Sequence, residues 1–331
     1  MTGLLDIRGL RTVFHTPEGA WAAVDGVDLT IRRGEVLCLV GESGSGKSVT
    51  GFSTVRLIDP PGEIVEGEIL FDGKDLRQAS DEELRALRGN RIAMVFQDPL
   101  STLNPVLTIG EQMAEAITAH RRCTKAQITE ESVRALARVG IPSPEVRLRQ
   151  YPHEFSGGMR QRVAIAIALL NSPDLIIADE PTTALDVTIQ SQILYEVQTL
   201  ARETGTAILW ITHDLAIVAE LADRVAVMYA GQIVESGAVD DVLDRPCHPY
   251  TLGLLKSSTG TVRPGERLHQ IDGNAPRIDA RPSGCPFRTR CDRVVPLCSE
   301  TYPLRQENGD RAFRCHNPVP AAPATSGEVL P

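Results

Sequence analysis

Gly41-Glu42-Ser43-Gly44-Ser45-Gly46-Lys47-Ser48 follows the apolar run Glu35-Val36-Leu37-Cys38-Leu39-Val40 and opens a stretch of helical character from about Lys47. Strand, glycine-rich loop, helix is the context in which the pattern G-x4-G-K-[ST] cradles phosphate. Glycines let backbone N–H groups close around phosphate oxygens with no side chain in the way. In this reading Gly41, Ser43, Gly44, Ser45, Gly46, Lys47, Ser48 and Val49 hold a nucleotide. Lys47 reaches the β- and γ-phosphates, and the Ser48 hydroxyl ligates Mg²⁺. A chance glycine turn is a poor rival, because both flanking conditions are met.

Downstream, Leu175-Ile176-Ile177-Ala178-Asp179-Glu180 is a short apolar run ending in two acids. A buried strand of this kind delivers Asp179 to the Mg²⁺ shell at its C-terminal end, where open α/β sheets bind ligands. Glu180, one residue on, is placed to polarise an attacking water. Alone, such an ending is most often a solvated strand end; the upstream phosphate loop changes the balance. Between them stands Phe155-Ser156-Gly157-Gly158-Met159-Arg160-Gln161. A serine and two glycines at a helix start make an anion site from backbone donors and the helix dipole. A plain cap by Ser156 is the ordinary reading of that stretch in isolation.

Taken in order, these motifs resemble those of the ABC-type ATPases. Phe155 and Met159 stand where Leu and Gln are more usual in the family's signature. Gln97 in Val95-Phe96-Gln97-Asp98-Pro99 resembles the Q-loop glutamine, Ala184-Leu185-Asp186 the D-loop, and His213 in Thr212-His213-Asp214 the switch histidine. The resemblance implies that Gln97 joins Ser48 and Asp179 around Mg²⁺, that Glu180 and His213 orient the water, and that Lys47 stabilises the transferred phosphoryl group. It also implies that Ser156 and Gly158 cap the ATP of a second protomer, and it places Asp186 beside the nucleotide. Phe14 is the candidate aromatic for stacking on adenine, with Trp21 as rival.

A narrower resemblance rests on Gln97-Asp98-Pro99, Ser101-Thr102-Leu103-Asn104-Pro105, Phe155 to Arg162, His248-Pro249-Tyr250-Thr251 and a cysteine-rich tail. These are similar to ATPase subunits of dipeptide and oligopeptide permeases, a branch shared with nickel and glutathione importers. It implies import of peptides or a related solute. The implied partners are a paralogous or identical ATPase subunit, two transmembrane permease subunits and, indirectly, an extracytoplasmic solute-binding protein. The implied location is the cytoplasmic face of the inner membrane, held there through the permeases.

The rest of the chain fits an α/β class. Strand patterns are expected before about residue 40, at about 174–179 and at about 206–211; helices at about 157–171 and 188–203. A helical stretch from about Thr108 to Gln150 is broken by Pro142-Ser143-Pro144. The expected fold is a P-loop NTPase of ABC type over residues 1–258, with a helical subdomain at about 98–172. A small Cys-rich tail domain follows over 259–331, with a flexible end from Pro318.

With 331 residues and a formal net charge of -9, the chain lacks the basic field of a general nucleic-acid binder. Its longest apolar run, Val163 to Leu170, is too short to span a bilayer. The N-terminus carries no apolar signal segment, so a cytoplasmic protein is expected. Cys285, Cys291, Cys298 and Cys315 crowd the tail with spacing C-x5-C-x6-C-x16-C. Structural disulfides are rare in the cytosol, and a segment with little apolar surface needs another source of order. A four-iron cluster, [4Fe-4S], is the expected occupant, and the permease-branch resemblance favours it. Zn²⁺ is the alternative, though its sites prefer closer pairs. His316 is a possible substitute for Cys315.

Other P-loop classes fit less well. A soluble ABC ATPase of DNA repair or translation brings a long coiled-coil insertion or a second ATPase domain. A small-molecule kinase lacks the Ser156 signature and the His213 switch. A regulatory module with a dead site would not retain Lys47, Asp179, Glu180 and His213 together.

Overall fold

The computed structural model describes residues 3–98, 102–182, 187–257 and 270–320. In chain order its elements are β1 (Leu5–Thr16), β2 (Gly19–Ile31), β3 (Val36–Val40), α1 (Lys47–Thr54), β4 (Gly62–Phe71), β5 (Lys74–Asp75), α2 (Asp81–Leu87) and β6 (Ile92–Val95). The helical segment holds α3 (Ile109–Thr118), α4 (Lys125–Arg138), α5 (Pro144–Arg147) and α6 (Gly157–Leu169). Then come β7 (Leu175–Asp179), α7 (Val187–Thr204), β8 (Ala207–Thr212), α8 (Leu215–Leu221), β9 (Arg224–Tyr229), β10 (Gln232–Ala238), α9 (Val239–Asp244) and α10 (Pro249–Ser257). The tail carries α11 (Leu297–Glu300), β11 (Gln306–Asn308) and β12 (Arg311–Phe313).

Two sheets divide the work. β2-β1-β4-β5 form an antiparallel sheet, and β11-β12-β10-β9-β3-β8-β7-β6 form the main one. In the main sheet β9, β3, β8, β7 and β6 run parallel. β3, β7 and β8 are buried at every position, as strands covered on both faces must be. Register sets Val40 beside Thr212, and Asp179 beside Ile211. The residues that follow these strands, Gly41, Glu180 and His213, therefore emerge at one edge, which is what positions the site.

The helical segment is delimited by its caps. Thr108 and Thr124 each accept the backbone N–H three residues on and close capping boxes with Glu111 and Gln127. The expected break falls where Ser143 takes a left-handed conformation, φ 53°, ahead of Pro144 at the first position of α5. The expected helix at 157–171 spans Gly157–Leu169, and that at 188–203 spans Val187–Thr204.

The tail differs from the expectation of a separate small domain. β12 pairs with β10 (Glu235 beside Phe313, Ser236 beside Ala312), so the tail widens the main sheet. Cys285, Phe287 and Cys298 belong to the same apolar cluster as Val36, Tyr229 and Tyr250. The Phe287 ring meets Tyr229 edge-on at 5.3 Å and lies 5.4 Å from Tyr250. A segment so poor in apolar residues cannot assemble a core of its own and completes its neighbour's instead. The expected boundary at 258/259 lies among residues outside those described. No helix among the described residues is long and apolar enough to cross a membrane.

Candidate nucleotide site

In the loop from Gly41 to Lys47, the first and last glycines stand where nothing larger fits. A Cβ on Gly41 would lie 2.2 Å from the Met228 carbonyl oxygen; one on Gly46, at φ 104°, would lie 2.4 Å from that of Ala23. The loop is tied from outside by Gly231 N–H, which donates to the Ser45 carbonyl at 2.8 Å. Lys47 Nζ donates to the carbonyls of Gly41 at 2.8 Å and Glu42 at 2.9 Å. Burial draws the Lys47 ammonium below its ordinary pKa, opposed by the charges of Glu180, Asp179 and Glu42. The α1 N-terminus, which no side chain caps, opens behind the loop.

Asp179 ends β7 almost wholly buried, and Ser48 Oγ donates to its Oδ1 at 3.0 Å. Burial pushes the Asp179 carboxyl above the usual carboxylate range, against the pull of Ser48. A hydroxyl beside a desolvated carboxylate is a donor set suited to a hard cation such as Mg²⁺, which neutralises that charge. Glu180 leaves the strand with φ 45°, an uncommon conformation for a residue other than glycine. Its N–H still donates to Ile211 at 2.9 Å. This bend turns the carboxylate to where Gln97 Nε2 donates to one oxygen at 3.2 Å and His213 Nδ1 meets the other at 3.1 Å. Partners 83 and 33 positions away in sequence thus converge on one carboxylate. Such a group can orient a water and accept its proton.

Ser43, Gly44, Gly46, Lys47, Ser48, Val49, Gln97 and Glu180 line one cavity of about 200 Å³. Ser156 caps α6, accepting the Met159 N–H at 3.3 Å, and it is exposed together with Gly157. Neither Ser156 nor Gly158 lines the cavity. Phe14 and Trp21 face each other across β1 and β2 and also stand outside the lining. Asp186 lies outside the described residues, as do Pro99, Ser101, Ala184 and Leu185.

The ABC transporter family model matches residues 24–183, and the model for the oligopeptide/dipeptide transporter C-terminal region matches residues 234–298. The chain is 46% identical to the oligopeptide transport ATP-binding protein OppD of Escherichia coli, over 96% of this chain and 94% of that protein. It is 48% identical to the dipeptide transport ATP-binding protein DppD of Bacillus subtilis, over 92% of this chain and 91% of that protein. The chain belongs to the ATP-binding proteins of ABC transporters, in the oligopeptide/dipeptide branch. Among solved structures, this ATP-binding subunit matches the dimeric post-hydrolysis state of the ATP-binding cassette MJ0796 bound to ADP and Pi. The TM-score is 0.66 at 28% identity, covering 71% of this chain and 98% of that one. The subunit is an ATPase.

The family's tail supplies contacts that sequence patterns do not announce. Glu42 N–H donates to the Tyr250 hydroxyl at 2.8 Å, which gives the His248-Pro249-Tyr250 stretch a place behind the loop. The Glu42 carboxylate is held by Arg290. Cys285, Cys298 and Cys315 are buried and Cys291 half-buried. Cys285 N–H donates to the Cys298 carbonyl at 2.9 Å, and the Cys315 thiol feels the other three. Burial pushes Cys285 and Cys315 up to about 11. The donor set suits a soft metal centre, yet among the described residues no group of three or more His, Cys, Asp or Glu is drawn closely enough to hold an ion. His316 Nε2 donates to the Thr301 carbonyl at 3.0 Å, away from a ligand role.

Proposed function

We propose that this chain powers the import of di- or oligopeptides as one ATPase of a paired motor, docked at the cytoplasmic face of the membrane on two permease subunits. An extracytoplasmic solute-binding protein would deliver the peptide. The observation that carries the peptide assignment is the branch-specific C-terminal region, on the same chain as the Ser48–Asp179 and Glu180–His213 pairs. The relatives named for oligopeptide and dipeptide transport support the same solute class.

In this reading Ser48, Asp179 and Gln97 hold Mg²⁺. Held there, the ion would supply electrostatic stabilisation for the charge that develops on the phosphates. Lys47 exchanges its contacts with the loop carbonyls for the phosphates. Glu180 takes the proton of the attacking water, and His213 and Gln97 fix its carboxylate. The exposed Ser156 cap, apart from the cavity in its own protomer, is positioned to meet the ATP of a second one. Import is coupled through a groove of about 400 Å³ that begins beside Gln97 at Phe96 and runs past Leu103, Ala116 and Ile167. We assign that groove to the permease subunits. The tail cysteines are proposed to bind a four-iron cluster, supported by their four-thiol donor set and by the Cys285 N–H bond to the Cys298 carbonyl, which brings two of them together.

The test is reconstitution with the permease subunits and binding protein in liposomes. Peptide should stimulate ATP hydrolysis and accumulate inside, and Glu180→Gln should abolish both. With ATP, Ser156→Cys should cross-link to a cysteine near the partner's phosphate loop. Peptide-independent hydrolysis with no peptide uptake would overturn the solute class.

A further inference from the structure

The nucleotide cavity has a wall that comes from the tail. Besides the phosphate loop, it is lined by Ala22 and Ala23 of β2, by Ala230 and Gly231, and by Pro276, Arg277, Ile278 and Arg281. The last four flank and form a short 3-10 turn, Ile278–Ala280, that packs on β2. It is anchored by Arg281. The guanidinium Nη1 donates to Asp25 Oδ2 at 2.6 Å, and Nη2 donates to the Ala22 carbonyl at 3.0 Å. Gly231 makes room for it, since a Cβ there would lie 2.5 Å from Arg281 Nη2. Gln232 Nε2 also donates to Asp25 Oδ2, at 3.3 Å, so the anchoring carboxylate is itself held.

The chemistry of the cavity is divided. Lys47, Ser48, Gln97 and Glu180 make one part polar, as phosphates and Mg²⁺ require. Ala22, Ala23, Ala230, Pro276 and Ile278 add carbon to the same lining. Ile278 is 41% exposed although the tail has few apolar residues to spare. The neighbouring Arg277 guanidinium is held by a two-pronged pair with Asp279, at 3.0 and 2.8 Å. An exposed aliphatic side chain next to a planar guanidinium is a surface for a flat, weakly polar ring. Phe14 and Trp21, the aromatic candidates of the N-terminal strands, do not line this space.

We propose that the turn Pro276–Arg281 is the base-side wall of the ATP site: Ile278 and Arg277 lie against the purine, and Arg281 is the positioning residue that holds the turn on β2. The tail thereby becomes part of the nucleotide site, and ATP bridges the N-terminal sheet and the C-terminal segment.

Titration calorimetry on the full-length chain, with ATP and with inorganic triphosphate, tests this. Triphosphate carries the phosphate contacts and no base. Ile278→Ala and Arg277→Ala should each weaken ATP about five- to tenfold and leave triphosphate within twofold. Arg281→Ala should produce the same selective loss, and Arg281→Lys should restore part of it. Ile278 is exposed, so its substitution leaves the fold intact, which thermal melting checks. Equal loss for both ligands, no loss for either, or a wild-type chain binding both alike would overturn the inference. The last result would still leave the phosphate grip of Lys47 and Ser48 standing.

Discussion

Arg290 grips Glu42 with both guanidinium arms, Nη1 to Oε2 at 2.6 Å and Nη2 to Oε1 at 3.0 Å, across 248 positions of sequence. One residue precedes Cys291 and the other follows the first glycine of the phosphate loop. The Arg290 side chain is 5% exposed and that of Glu42 is 29%. Two parallel bonds of this kind fix direction as well as distance.

Removing one partner should therefore be felt in both stability and nucleotide affinity. Arg290→Ala is expected to cost about 2 kcal/mol, below the figure for a fully buried pair because Glu42 keeps some water. KM for ATP should rise severalfold with a smaller change in kcat. A double-mutant cycle with Glu42→Gln, read by urea denaturation and by ATP titration, measures the coupling. Independent, additive effects would show that the pair does not position the loop.

Glu180→Gln keeps the shape of the carboxylate but cannot take a proton. ATP affinity should stay within about twofold, while turnover falls about 10²- to 10⁴-fold. ATP should then trap a stable dimer, visible by size-exclusion chromatography. Lys47→Ala should lose affinity itself. Wild-type turnover in Glu180→Gln would rule out the proposed base.

His248 gives the fold an acid limit. It is buried, its Nδ1 accepts the Tyr250 N–H at 3.0 Å, and burial pulls its pKa down to about 3. The unfolded histidine takes a proton near pH 6.5. Between pH 6.5 and 3 the unfolded chain thus binds one proton more than the native one. This histidine therefore lowers stability progressively as pH falls through that window, by up to roughly 1.4 kcal/mol per pH unit, and has no effect above it. His248→Asn keeps an acceptor and removes the proton site. Its urea midpoint should decline less steeply from pH 6 to 4; parallel declines would refute the assignment.

Colour and metal content decide what the tail cysteines hold. Anaerobically purified protein should be brown, with iron and sulfide each about four per chain. Cys285→Ser should bleach it and destabilise the tail. Colourless protein with one zinc per chain would replace the iron assignment while keeping the four ligands.

The hydrolytic constellation is legible in the sequence because each part is local and the fold aligns the parts. Strand ends carry Gly41, Asp179-Glu180 and His213, and parallel pairing brings such ends to one edge whatever the loops do. Ser156 and Gln97 are legible only through order and resemblance. The tail is not legible in this way. Arg281, Arg290 and Arg311 lie in a stretch without periodicity, where any arginine can meet any carboxylate. Their partners Asp25, Glu42 and Glu235 come from distant strands and loops. β11 and β12 are three residues each, too short for an alternating pattern. The tail reads as a domain because its composition changes, and composition does not report whose core a segment completes.

The pairing of β12 with β10 has a consequence for how the chain leaves the ribosome. The phosphate loop and the Asp179 strand emerge early, but the outer edge of the sheet is still bare until Phe313 is out. Until then β10 offers unpaired N–H and C=O groups, an invitation to foreign strands. Any nonsense product or proteolytic fragment ending before residue 313 inherits that open edge permanently. Such truncations should aggregate even though every hydrolytic residue is present, so quality control of this subunit falls on its last two strands.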